Sequence, residues 1–274
     1  FGAAGPQFGS KLEEMKREGI EIMIALDVSN SMLAQDVQPN RLERAKLTIE
    51  RMIELLDDDK VGLIVFAGDA YVQVPITTDY ISAKMFLEGI NTQIISKQGT
   101  AIGSAIELAS KSFSPKSEAS KVIIIITDGE NHEGDAIAQA QEANDKGIKI
   151  YTIGLGSPQG TPIPVSGNSG QNIFRKDKDG NIVISKLDEA TLNKIAATAD
   201  GKYYSANSFN QIFTELENLK TEEIETRVYT EYENRFQYLI GIGILLLIVE
   251  VLILERKSPW LSRLNLFNEK EGKQ

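Results

Sequence analysis

A short apolar run, Ile22 to Leu26, ends in Asp27-Val28-Ser29-Asn30-Ser31. A buried strand that terminates in an acid and two hydroxyls sets oxygen ligands at the carboxyl end of a sheet. In open α/β sheets that crevice is where ligands bind. Oxygen-only ligands suit a hard cation such as Mg²⁺. Two further segments carry the same chemistry: Gln98-Gly99-Thr100 opens a helical pattern, and the apolar run Val122 to Ile126 ends in Thr127-Asp128-Gly129. Each is weak alone, because a Ser, Thr or Asp after a strand also serves as a helix cap or turn former. Together they place Asp27, Ser29, Ser31, Thr100 and Asp128 at one end of one sheet.

The rest of the pattern supplies that sheet. Leu42, Ala45, Ile49, Met52, Ile53 and Leu56 recur at helical spacing, and Asp57-Asp58-Asp59 stops the stripe. Val61 to Phe66 reads as a buried strand, and Tyr71 to Val74 as an antiparallel edge strand after the Gly68-Asp69 turn. Helices are expected over 79–90, over 102–113 and over 136–144, the last closed by Gly147. Ile148 to Ile153 is the next strand; a helix over 189–198, a strand over 202–205 and a helix over 209–220 complete the series. Strands alternating with helices predict a doubly wound, mostly parallel α/β sheet.

Between Gly154 and Lys186 the rhythm breaks. Asp179-Gly180 between β-rich arms (174–177 and 181–184) reads as an inserted β-hairpin. Asp177-x-Asp179-Gly180 also hints at a calcium loop, but the acidic ligand at the loop's end is missing. After residue 220 the composition shifts. An acidic segment over 221–235 precedes Phe236 to Leu254, almost wholly apolar and long enough to cross a bilayer as a transmembrane helix. Arg256, Lys257 and Arg263 lie beyond it, so the charge asymmetry sets the tail, 255–274, in the cytoplasm and the domain outside. Glu250 lies within about one turn of the helix end, where it can reach the interface or contact a partner helix.

With these motifs in place, the chain resembles a von Willebrand factor A (vWA) domain with an intact metal-ion-dependent adhesion site (MIDAS), over about residues 21–220. The resemblance implies a Rossmann-like vWA fold. It also implies that Ser29, Ser31 and Thr100 ligate Mg²⁺ directly, with Mn²⁺ as a substitute, while Asp27 and Asp128 act through bound water. Pro39-Asn40-Arg41-Leu42-Glu43-Arg44-Ala45-Lys46, Val65-Phe66-Ala67-Gly68-Asp69-Ala70 and Thr127-Asp128-Gly129-Glu130-Asn131-His132-Glu133-Gly134 resemble the BatB proteins of the bacterial aerotolerance (Bat) operon. That family implies an inner-membrane protein with its vWA domain on the periplasmic side and two membrane helices ahead of a lead-in over 1–20. It also implies association with sister vWA membrane proteins and MoxR-type AAA+ ATPases. Glu130, His132 and Glu133 would sit on the site's rim.

Composition narrows the function classes. A net charge of −10 argues against nucleic-acid binding, which needs Lys and Arg on phosphates. With no cysteine and a single histidine, His132, thiolate sites and zinc catalysis are not expected. The first strand–helix turn lacks the glycines of a dinucleotide fold, and Gly154-x-Gly156 opens no helix. The nucleophile elbow of hydrolases is missing too. Neutral hydroxyls around Mg²⁺ leave its charge largely unquenched and favour capture of an Asp or Glu carboxylate from a protein partner. The expectation is a membrane-anchored binding protein and not an enzyme. The alternative is a structural subunit whose metal only stabilises the fold.

Overall fold

The run Val122 to Ile126 becomes the middle of a sheet because both of its faces are covered. A computed structural model describes residues 19–117, 119–130, 135–165, 173–206, 208, 211–217, 219 and 236–254 of the chain. Six strands form one sheet: β1 (Glu21–Asp27), β2 (Lys60–Phe66), β3 (Ala70–Thr77), β4 (Lys121–Thr127), β5 (Ile148–Gly154) and β10 (Tyr203–Ser205). Their spatial order is β10-β5-β4-β1-β2-β3. All neighbours run parallel except β3, the expected antiparallel edge strand on β2.

The two-residue period of the strands sorts their side chains into two cores. Ile22, Ile24 and Leu26 of β1 join Val122, Ile124 and Ile126 of β4 on one face. There they meet α1 (Arg41–Glu54), α2 (Tyr80–Glu88) and the helix over 211–217, α6. Met23, Ala25, Ile123 and Ile125 point the other way. That face is covered by α3 (Ile102–Ser112), α4 (Ala136–Asp145) and α5 (Glu189–Thr198). Side chains of Asn40, Asp79, Asp135 and Asp188 accept amide hydrogens at the starts of α1, α2, α4 and α5. The doubly wound, mostly parallel α/β sheet is thus present as the pattern predicts.

The insertion is more than the expected hairpin. Asp177 and Asn181 do close a turn, with Asp177 N donating to Asn181 O at 2.9 Å. The Asp177 carboxylate, held below the usual range first by the Asn181 amide, also accepts from Asp179 N, so an Asx-type turn accounts for D-x-D-G. Next to the turn the two arms pair with each other as expected, through Val183 N to Arg175 O at 2.9 Å and the antiparallel bridge of Lys176 with Ile182; farther out they splay and pair outward. β9 (Ile184–Ser185) pairs with β6 (Thr161–Pro162), and β8 (Ile173–Phe174) pairs with β7 (Pro164–Val165). Residues 161–165 thus lie between the arms, a pairing that the proline-rich sequence hid because its ladders are only two residues long.

Residues 16–225 form one unit, and the C-terminal helix α7 (Phe236–Leu254) belongs to another. Over the residues whose side chains are described, no helix is long and apolar enough to cross a membrane. The side chains of α7 are described only over 240–250, and each residue there is exposed. The lead-in, the acidic segment over 221–235 and the tail over 255–274 lie outside the described residues, apart from Gly19 and Ile20.

Candidate metal centre

Parallel pairing decides the site's location. Asp27 closes β1 beside Phe66 of β2, and Leu26 pairs with Ile126 of β4, so Asp27 and Thr127-Asp128 leave adjacent strands at the same level. The Asp27 carboxylate is fully buried and doubly held. Ser29 N donates to Oδ1 at 2.8 Å, and Thr127 Oγ1 donates to Oδ2 at 2.5 Å. A single 3-10 turn, Asn30–Leu33, then folds the chain back and brings Ser29 Oγ to 2.9 Å from Ser31 Oγ.

Thr100 arrives from the next crossover. Asn30 N donates to Gln98 Oε1 at 3.1 Å, tying the Asp27–Ser31 loop to the loop ahead of α3. Gly68 N to Lys97 O (3.0 Å) and Ala101 N to Ala67 O (2.7 Å) fix that loop on both sides of Thr100, which is buried. The capping alternatives are not realised for the residues flanking these helices. Ser29 makes no side-chain cap bond to the 3-10 turn, and the cap position of α3 is Ala101, beyond Thr100, with no side-chain cap bond.

Asp128 is held from behind by residues that the sequence reading missed. Arg41, 0% exposed, donates from Nη1 to Asp128 Oδ2 at 2.9 Å and to Ser185 Oγ at 2.6 Å. Its Nε and Nη2 grip both oxygens of Asp36 at 2.9 and 2.7 Å. Ser185 Oγ donates in turn to Asp128 Oδ2 at 3.0 Å. A signal for Arg41 existed. A cation in the first turn of a helix opposes the helix dipole, so its place at the start of α1 calls for buried acids as partners. Gly156 makes room for it: its φ is +133°, and a Cβ there would stand 2.7 Å from Arg41 Cζ. The second glycine of Gly154-x-Gly156 therefore serves the arginine and not a nucleotide.

The electrostatics fit a divalent cation. Asp27 and Asp128 are two buried carboxylates at neighbouring strand ends, with Ser29, Ser31 and Thr100 as nearly buried hydroxyls. Burial, and next the charge of Asp128, push the Asp27 carboxyl up to about 7, against the hydrogen bonds from Thr127 and Ser29. An acid whose ionisation is opposed by burial and by a second acid marks a place short of positive charge, and hard oxygen donors suit Mg²⁺ or Mn²⁺. Among the described residues no group of three or more His, Cys, Asp or Glu comes together. Of the expected rim, Glu130 Oε1 accepts from Lys186 N at 2.8 Å. His132 and Glu133 lie outside the described residues.

A six-stranded doubly wound sheet with this oxygen-lined end defines a von Willebrand factor type A domain. The family's model matches residues 21–221, and the chain belongs to that family. More particularly, it is similar to BatB from Bacteroides thetaiotaomicron, 52% identical with a TM-score of 0.71, over 74% of this chain and all of that one. It is also similar to an aerotolerance-related membrane protein from Bacteroides fragilis, 50% identical with a TM-score of 0.69, over the same shares. An uncharacterised protein of Borreliella burgdorferi is 30% identical over 87% of this chain and 69% of its own length. The chain spans 66% of a related protein from Nocardia farcinica.

The raised Asp27 carboxyl predicts how pH acts on the chain without divalent cations. Native Asp27 keeps its proton up to about pH 7, whereas the unfolded side chain releases it near 3.8. Its contribution to stability is therefore full below about pH 4 and lost as pH rises through about 7. Relative to Asp27→Asn, the native chain in EDTA should lose on the order of 10 °C in Tm between pH 4 and 8. Parallel Tm–pH curves for the two proteins would contradict this.

Proposed function

We propose that this chain is a membrane-anchored vWA domain that binds a protein partner through Mg²⁺ at its metal-ion-dependent adhesion site, and that it is not an enzyme. The observation that carries this reading is the buried Asp27–Asp128 pair at neighbouring strand ends, with the Ser29–Ser31 hydroxyl pair on the loop that leaves Asp27. In this reading Ser29, Ser31 and Thr100 hold the ion directly, and Asp27 and Asp128 hold it through water. The bound ion would supply an electrophilic position for an Asp or Glu carboxylate of the partner. The chain's own residues provide neutral first ligands and keep both acids one step back, so the charge is not spent within the protein. Similarity to the Bacteroides proteins supports a place in an aerotolerance-related membrane complex, with sister vWA membrane proteins and MoxR-type AAA+ ATPases as candidate partners.

A second reading, a structural subunit whose metal only stabilises the fold, draws on burial: all five residues are at most 8% exposed. The two readings separate on partner capture. Full-length chain extracted from membranes should retain its partner in Mg²⁺ and lose it at least about tenfold in EDTA or as Thr100→Ala, each tenfold being about 1.4 kcal/mol. A complex unchanged under both conditions would leave only the structural reading.

The membrane span is likewise our proposal. α7 is 19 residues long, about 28 Å at the helical rise, close to the hydrocarbon thickness of a bilayer. Ile240, Ile242, Ile244 and Leu245 to Val249 are exposed on all sides, a surface suited to lipid. One bacterial inner-membrane helix with the cationic residues beyond it would leave the vWA domain periplasmic. A reporter fused after Lys257 should be active only as a cytoplasmic marker, and protease added to the periplasmic face should digest the domain. A protected domain would reverse the orientation.

A further inference from the structure

The inserted segment does not merely decorate the domain; it is fastened to the loop that carries Asp128. Three bonds run from the end of the insertion, residues 185–188, to that loop. Ser185 Oγ donates to Asp128 Oδ2 at 3.0 Å, Lys186 N to Glu130 Oε1 at 2.8 Å and Asp188 N to Asp128 O at 2.8 Å. The approach is so close that Gly129, at φ +81°, admits no side chain: a Cβ there would lie 2.7 Å from Asp188 O. The start of the insertion is tied to the same arginine. Ser157 N donates to Asp36 Oδ2 at 2.7 Å, and Asp36 is the acid that Arg41 grips with Nε and Nη2.

Arg41 therefore stands at a junction. One side of its planar guanidinium is committed to Asp36, the anchor of the insertion's first strand. The other is shared between Ser185 and Asp128, the anchor of its last strand and the acid of the metal centre. A lysine could supply the charge but not this two-sided fork. Asp128 Oδ2 takes two donors from behind, while Oδ1 is turned to the loop, where Glu130 N lies at 3.3 Å. Fixed in this way, the carboxylate cannot rotate without breaking bonds to the insertion.

We propose that Arg41 and Ser185 are positioning residues of the metal centre, which orient Asp128 and thereby couple metal occupancy to the order of the insertion over residues 157–165 and 173–188. This rests on the metal-binding reading above. An ion held through Asp128 fixes the rotation of the carboxylate, and with it the position of Oδ2 as acceptor for Ser185 Oγ and Arg41 Nη1, to which the strands on either side of the insertion are tied. Loss of Ser185 Oγ leaves the ion's hydroxyl ligands in place but frees Asp128 Oδ2 on one side. Groups that orient metal-binding side chains commonly alter affinity by about ten- to a hundredfold.

The test is hydrogen exchange on the full chain in detergent, with Mn²⁺ as the probe and its affinity followed by electron paramagnetic resonance. In the native chain Mn²⁺ should slow exchange at the loop over 27–33 and, in parallel, over 182–188. Ser185→Ala and Arg41→Lys should bind Mn²⁺ about tenfold more weakly, and at saturating Mn²⁺ should keep the slowing over 27–33 while losing it over 182–188. Binding to the native chain without slowing over 182–188 overturns the inference, even if neither variant folds. So does a Ser185→Ala chain with native affinity and native exchange. Absence of Mn²⁺ binding by the native chain, or unchanged binding by Ser29→Ala, instead removes the metal reading on which the inference rests.

Discussion

Everything at the functional end of this domain answers to one electrostatic constraint: two acids, Asp27 and Asp128, are buried on neighbouring parallel strands. Burial of one carboxylate is already costly, and a second beside it adds repulsion in a region where water cannot screen it. The protein meets the constraint asymmetrically. Asp128 receives a full positive charge from buried Arg41 at 2.9 Å. Asp27 receives only dipoles, from Ser29 N and Thr127 Oγ1, and its carboxyl is pushed up to about 7. An added cation beside Asp27, the member of the pair without a cationic partner among these bonds, would offset that repulsion.

The same constraint explains why the insertion is attached where it is. A buried arginine must place all of its donors, because an unpaired one would forfeit much of what the ion pair contributes. Asp128 and Asp36 take most of them, and Ser185 takes the remainder. Ser185 lies on β9, so pairing of that strand with β6 is locked to the arginine and through it to the strand end of β4. A segment that reads as a surface appendage is thereby part of the core electrostatics.

Much of this was legible in the residues. The alternation of β1 and β4 between two cores follows from runs of Ile and Val with helices on both faces, and the edge position of β3 from its mixed pattern. The motifs that hold the five candidate site residues were legible because short runs at strand ends and ahead of a helix carry their own position. The partners of Asp128 were not, since Arg41, Asp36 and Ser185 lie up to 144 residues apart and meet only in three dimensions. The dipole conflict at Arg41 was the one local sign. The pairing of the insertion escaped for a related reason: two-residue ladders interrupted by Pro162 and Pro164 carry too little periodicity to reveal register.

Binding of a divalent cation at the carboxyl ends of β1 and β4, as proposed, would be visible in the anomalous difference map of a crystal of this chain grown with Mn²⁺. One strong peak is expected within bonding distance of Ser29 Oγ, Ser31 Oγ and Thr100 Oγ1, with Asp27 and Asp128 reached through water. A peak confined to the Asp177–Gly180 turn, or no peak at saturating Mn²⁺, would contradict it.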